Sequence, residues 1–421
     1  MSLQGPMMLV ADSPAADLVD ALVAAGAFPV IETKWADAPA AFASVKPTAV
    51  VIAEPGTPQN ESAARKLFKQ IAAANEPIVP VVARVCHDQE AALPGALAAD
   101  AGLPVERLIA RLQSAMRVCA LHATVLRRIE TFASHDGRLP SLPVGDALDD
   151  ATVLIAGRGR LYPKLSVAMG ERVKMLGAFS VESAAKHLNA RDVDGIVLGD
   201  GFSPRMVQAF LTVIAQDNRF RDIPVAVIGE AVPEFIKKLP NIDHVDGDPA
   251  RLVARMVPLV RMHAFEARLK RMLKSLDADG MFDPETGLHT RDTFCDELGK
   301  AAAEAAERSV ALSLARLSFD GSLDPCAGKD SARLLPRLIR NIDFACRDDD
   351  GALLIAFTQT DLRGAHVIAR RIASALKNAL LGPSSPDAKI AANLTLATLK
   401  AGDTLDSLVT RVMGGHMVAA E

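Results

Sequence analysis

Arg-x-x-Asp occurs four times in the 421-residue chain, at Arg191/Asp194, Arg219/Asp222, Arg340/Asp343 and Arg347/Asp350. A guanidinium can fork onto two acceptors of a base or a phosphate, and a neighbouring carboxylate can take the donors beside them. On a helix the same spacing is usually a solvated ion pair worth about 0.3–0.5 kcal/mol, so the bare pattern decides nothing. Single carboxylates follow apolar runs at Asp12 and Asp200, and Asp349 and Asp350 stand side by side. Gly157-Arg158-Gly159 also follows an apolar run, as a phosphate-cradling loop would. The third glycine of such a loop is missing at Tyr162, which leaves a turn with a surface arginine. Cys86, Cys119, Cys295, Cys326 and Cys346 contain no CxxC pair and no metal-ligand spacing. They read as ordinary thiols of a reducing compartment, and no metal site is expected.

The elements that must position these residues are legible in the apolar pattern. The length exceeds what one core supports, so two or three domains are expected. Strands are predicted over 7–11, 49–53 and 78–83, with helices over 15–25 and 105–126. Continuous apolar strands separated by helices are the pattern of a parallel sheet buried on both faces. Residues 131–149 hold Gly, Pro, Ser and Asp without a period and read as a linker. The pattern then restarts with strands over 152–156, 195–198 and 223–228, in the manner of an internal duplication. Asp248-Pro249 opens a helix that runs to about Leu276. Met262, Phe265, Leu269, Met272 and Leu276 step along it by three and four. This short heptad seam fits either a coiled contact with a second copy or packing on its own domain. A third unit has strands over 310–317, 352–357 and 391–397.

Composition excludes several partners. Aromatic residues make up 4% of the chain, with Trp35 and Tyr162 the single members of their types, and the formal charge is −4. Neither suits a nucleic-acid surface, and no nucleic-acid partner is expected. No apolar stretch reaches the length of a membrane span, and no secretory signal is visible, so a cytoplasmic location is expected.

Asp283-Pro284-Glu285-Thr286-Gly287-Leu288-His289-Thr290-Arg291-Asp292-Thr293-Phe294 matches the D-x-x-T-G-L-x-N-R-x-x-F motif that opens GGDEF domains, with Thr290 in place of Asn. The third unit therefore resembles a GGDEF domain, the diguanylate cyclase fold. The first two units resemble receiver domains of response regulators, Ile223-Pro224-Val225 as a fourth strand and Asp248–Arg255 as the start of a last helix. The order is similar to PleD-type regulators. The resemblance implies an α/β chain of two doubly wound, flavodoxin-like receiver domains followed by a GGDEF, nucleotide-cyclase-like α/β domain. The boundaries are a receiver over 1–130, a linker over 131–149, a receiver with an extended helix over 150–277, and a GGDEF domain over 278–421.

The resemblance also implies lost chemistry. Receiver phosphorylation needs an acidic pair, an acceptor Asp, a hydroxyl and a Lys together. In the first unit the acceptor position falls on Ala53 or Glu54, and no Lys lies between Lys69 and Lys164. The second keeps Asp200 as a vestigial acceptor, read as a solvated loop carboxylate, while its acidic pair has become Gly157-Arg158. In the GGDEF domain the signature falls on Asp349-Asp350-Gly351-Ala352-Leu353, so the glycines that admit a nucleotide are acids. The metal-binding Asp of the preceding strand is Arg316. No catalytic residues, metal ligands or cofactor are expected, and the chain is not expected to be an enzyme.

One site is retained. In the family an R-x-x-D motif begins nine residues before the signature, with a second arginine twenty-two after it. Here those positions are Arg340, Asp343 and Arg371. Together they suit cyclic di-GMP: a guanidinium forks onto guanine O6 and N7, a carboxylate accepts from N1 and N2, and the second arginine meets a phosphate or a base face. The resemblance thus implies a non-enzymatic cyclic di-GMP receptor, with an unidentified protein partner and a homodimer formed through the receiver domains. A ligand-free dimeric scaffold that recruits partner proteins is the alternative.

Overall fold

The computed structural model describes residues 3–54, 60–74, 76–86, 93, 95–136, 145–229, 239–276, 281–320, 325–381 and 391–414. They fall into two compact units, one of residues 6–119 and 141–270, the other of 3–5, 120–140 and 271–421. No described helix is long and apolar enough to cross a membrane.

The first unit contains two copies of one pattern. In chain order the first copy is β1 (Met7–Val10), α1 (Ala16–Ala24), β2 (Val30–Thr33), α2 (Ala38–Val45), β3 (Ala49–Ile52), α3 (Glu61–Ala73), β4 (Val81–Val85), β5 (Leu97–Asp100) and the first part of α4 (Val105–Asp136). The second is β6 (Thr152–Ala156), α5 (Tyr162–Gly170), β7 (Lys174–Ala178), α6 (Val181–Ala190), β8 (Gly195–Leu198), α7 (Pro204–Gln216), β9 (Val225–Ile228), β10 (Ile242–Val245) and most of α8 (Pro249–Leu276). Each sheet is five-stranded and parallel, ordered β2-β1-β3-β4-β5 and β7-β6-β8-β9-β10. That is the flavodoxin-like order. Central strands β1, β3, β8 and β9 are buried throughout, whereas edge strands β2 and β7 are largely part-exposed.

The last helix of each copy reaches the last strand of the other. Arg111 of α4 is 2% exposed and donates from Nη2 to Asp243 Oδ1 at 2.8 Å and from Nε to the Pro240 carbonyl at 3.3 Å. Arg107 donates to the carbonyls of Leu239 and Ile242, and Ser114 and Arg117 both reach Asp222. In return Arg255 of α8 lies 3.8 Å from Asp100 at the end of β5. Arg111 and Arg255 occupy the same position counted from their helix starts. Cations this deep are tolerated only where carboxylates and carbonyls replace their water.

Helix α4 runs to Asp136, past Leu126 and into the stretch read as linker. No Gly or Pro interrupts it, and Thr131 and Ser134 turn their hydroxyls back onto the carbonyls of Arg127 and Glu130. Lys300 Nζ reaches both hydroxyls, at 3.1 and 3.2 Å. The linker residues 137–144 lie outside the described residues. Helix α8 continues through Pro258, and its heptad seam is used within the chain. Leu269 and Leu276 are buried, and Met262 and Phe265 line a cavity of about 460 Å³ with Phe68, Ile71 and Val81. Leu269 and Leu276 thus pack within their own chain, while Met262, Phe265 and Met272 stay part-exposed.

The second unit is built from the end of α4, α9 (Arg291–Arg308), β11 (Leu312–Asp320), α10 (Pro325–Leu338), β12 (Phe344–Arg347), β13 (Leu353–Thr358), α11 (Leu362–Leu381), β14 (Ala391–Thr398) and α12 (Leu405–Gly414). Its sheet is antiparallel, ordered β12-β13-β11-β14. Alternate residues point to opposite faces, so Ala315 and Leu317 meet Leu335 of α10 and Ala369 and Ile372 of α11, while Leu312 and Leu314 meet Phe294 of α9 and Leu408 of α12. The opening motif is a local scaffold. Asp283 accepts from Thr286 Oγ1 at 2.7 Å, Gly287 adopts φ +70, and Thr290 caps α9 by accepting from the Thr293 N–H. Thr serves here because a side-chain oxygen is what the cap requires.

Candidate ligand site

The chain leaves α10 at Leu338 and turns tightly, the Asp343 N–H donating to the Arg340 carbonyl at 3.0 Å before β12 begins. This turn brings Arg340 and Asp343 together. The Asp343 carboxyl is 3% exposed. Its Oδ1 accepts from the Thr358 N–H at 3.1 Å, and its Oδ2 has no partner among the described residues. Burial pushes this carboxyl up to about 7, against the opposing pull of Arg340, the Thr358 N–H and Arg127. Arg340 is half-buried, with one long contact from Nη1 to Thr360 Oγ1 at 3.5 Å. Arg371 stands exposed on α11, which packs beside α10, and no hydrogen bond or ion pair among the described residues joins it to the other two.

The β12–β13 hairpin carries Asp349-Asp350-Gly351-Ala352 in its turn. The Asp348 N–H donates to the Ala352 carbonyl at 2.8 Å, and Gly351 takes φ +85, a conformation in which side chains are strained. Arg316 of β11 is ion-paired with Asp350, and Arg291 lies 3.2 Å from Asp348. The Ala352 N–H and Arg316 together hold the Asp350 carboxyl below its usual range. Among the described residues no three His, Cys, Asp or Glu side chains gather as a metal ion would require.

Both positions at the strand ends of the first unit are tied into local structure. Asp12 accepts from the Trp35 N–H at 3.2 Å and from Asn60 at 2.6 Å, and Trp35, fully buried, donates its indole N–H to the Glu54 carbonyl at 3.1 Å. Asp200 is not a solvated carboxylate. The loop after β6 lies over it, with the Leu161 N–H donating to Oδ2 at 3.3 Å and Oδ1 buried without a partner among the described residues. A Cβ on Gly159 would stand 2.1 Å from that carboxyl, so the glycine admits the loop there. Arg158 is exposed, as expected of a turn arginine, and donates to the Gly201 carbonyl at 3.0 Å.

Sequence reasoning missed an ionic cluster in the second unit. Glu297 of α9 is 0% exposed, with Arg127 Nε at 3.4 Å, Arg128 Nε at 3.5 Å and His289 Nε2 at 2.9 Å. Arg127 also reaches Glu304 at 2.9 Å and lies over the Phe344 ring. Burial works to raise the Glu297 carboxyl, yet Arg128, His289 and Arg127 hold it far below the usual range. The one signal in the sequence was a paired Arg127-Arg128 inside an otherwise apolar helical run.

No protein-family model matches the chain, and no curated protein matches it. Solved structures similar to it include the coiled coil and GGDEF domain of DgcB from Caulobacter crescentus, in complex with c-di-GMP. That likeness has 24% identity and a TM-score of 0.30, and covers 35% of this chain and 84% of that one. The FimX GGDEF domain from Pseudomonas aeruginosa is similar at 18% identity and a TM-score of 0.29, over 32% of this chain and 90% of that one. Diguanylate cyclase SiaD, solved with its activator SiaC from the same organism, is similar at 18% identity and a TM-score of 0.29, over 35% and 62%.

Proposed function

We propose that the chain is a non-enzymatic cyclic di-GMP receptor: two pseudo-receiver domains followed by a degenerate GGDEF domain that binds the dinucleotide at Arg340, Asp343 and Arg371 and passes the signal to a partner protein, as a homodimer. The observation that carries the reading is the spare capacity of one turn. Arg340 has no carboxylate partner within ion-pair distance among the described residues, and Asp343 keeps a buried oxygen unpaired beside it. A buried polar atom left without a hydrogen bond is costly, and a ligand donor would repay it. The absence of cyclase activity is argued from Arg316, whose guanidinium meets Asp350 where a cyclase would hold metal.

Calorimetric titration of the full chain with cyclic di-GMP and with GTP tests the reading. Arg340→Ala should lose about 1–3 kcal/mol, the value of a bidentate guanine contact, or about tenfold to hundredfold in affinity. Arg347→Ala, at the hairpin, should bind nearly as wild type does. No binding of cyclic di-GMP at tens of micromolar would remove the proposal. Incubation with GTP and Mg²⁺ should yield no cyclic di-GMP. The ligand-free scaffold remains the second reading, favoured by the hydrogen bond from the Thr358 N–H, which gives Asp343 a structural duty of its own.

A further inference from the structure

Among the described residues the exposed side of α11 has no partner within the chain. Ala365, Ala369, Ile372 and Leu376 recur every three or four residues and hold the helix to the sheet. The opposite side carries Arg363, His366, Arg370, Arg371 and Lys377, all exposed, and α11 contains no carboxylate. Among the described residues none of these five side chains enters an ion pair or a hydrogen bond. The carboxylate just ahead of the helix, Asp361, is engaged as a cap, accepting from the Gly364 N–H at 2.8 Å. Exposed arginines elsewhere do find carboxylates, as Arg65 does on Glu61, Arg219 on Asp217 and Arg261 on Asp146. The whole chain is balanced, with 47 Lys and Arg against 51 Asp and Glu, so an acid-free face is a local departure. From Arg363 to Lys377 it runs about 21 Å along the helix axis.

The face suits one class of partner. A helix lying in a membrane interface needs a broad apolar side turned to lipid, and here that side is in the core. Nucleic-acid surfaces use aromatic platforms or a net positive field, and α11 has no aromatic residue while the chain carries −4. What stands among the cations is Leu362, 51% exposed, and Val367, 65% exposed. Arginine with scattered aliphatic contact is the composition of a protein interface. The steps of four, three and seven residues from Arg363 to Val367, Arg370 and Lys377 keep them on one helix face and fit carboxylates and aliphatic groups recurring along a facing helix. We infer that this face of α11 docks an acidic helical segment of another protein. The inference draws on Arg363 and Arg370 and stands whether or not the dinucleotide binds at the Arg340 turn.

The test uses the full chain and a fluorescein-labelled peptide of Glu-Glu-Leu-Ala repeats about 20 residues long, enough for a helix. The same peptide with Gln for Glu is the control. Arg363→Glu with Arg370→Glu is compared with Lys66→Glu plus Lys69→Glu, which changes the net charge equally on α3. Circular dichroism confirms that both variants fold. The acidic peptide should bind wild type and the α3 variant alike and the α11 variant at least tenfold more weakly, with no binding of the Gln peptide. An absence of binding to wild type, or an equal loss in both variants, overturns the inference. So does a result in which phosphatidylglycerol vesicles or duplex DNA depend on Arg363 and Arg370 while the peptide does not.

Discussion

Glu297 and Asp343 are carboxylates of the same unit, buried to nearly the same degree, yet they are driven in opposite directions. Around Glu297 stand Arg127, Arg128 and His289, and the carboxyl is held ionised. Asp343 has one backbone N–H and an empty second oxygen, and burial pushes it up to about 7. Desolvation is common to both, so the number of partners decides the outcome. A buried carboxylate with its charge compensated in place is part of the framework. One that is left short of donors carries a cost that its surroundings do not offset.

The largest effect should come from Glu297→Ala. It removes the buried carboxylate that Arg127, Arg128 and His289 share and should cost about 3–5 kcal/mol in chemical denaturation. A loss below about 1 kcal/mol would show that the cluster is solvated and would erase the contrast. Asp343→Asn tests the other carboxylate through pH. Because the folded carboxyl titrates near 7, above its unfolded value of 3.8, its contribution to stability is present in full below the unfolded value. That contribution is lost as the pH rises through about 7, on the order of 1.4 kcal/mol for each unit of displacement. Urea midpoints between pH 4 and 8 should therefore fall for wild type more than for the Asn variant. Parallel profiles would place Asp343 among ordinary carboxylates.

Arg340→Ala sharpens the comparison on the ligand side, with the roughly tenfold to hundredfold loss of cyclic di-GMP affinity given above and little change in stability. The smallest effect is expected for Arg316→Ala. Its ion pair with Asp350 is partly exposed, 22% and 52% for the two side chains, and such pairs contribute about 0–1 kcal/mol. A thermal shift matching that of Glu297→Ala would mean that the hairpin matters to the framework as much as the buried cluster does.

What the sequence determined by itself was whatever depends on neighbours along the chain. Strands β1, β3, β6, β8, β9 and β13 were legible because they are runs of apolar residues, and β11 and β14 because apolar residues recur through them between polar ones. The opening motif was legible because Asp283, Thr286 and Thr290 each accept from a backbone N–H two or three residues further on. Strands β2, β5, β7 and β10 were not legible. They lie at sheet edges and carry polar residues such as Glu32, Asp100, Lys174 and His244, which hide the apolar period. The tertiary structure alone decided which charges meet, because attraction between side chains follows distance in space and not separation along the chain. Arg111 finds Asp243, Arg127 finds Glu297 and Arg316 finds Asp350 across sequence gaps that no local pattern marks. The same rule left Arg340 and the cations of α11 without a carboxylate at ion-pair distance among the described residues, and only the folded chain could show that.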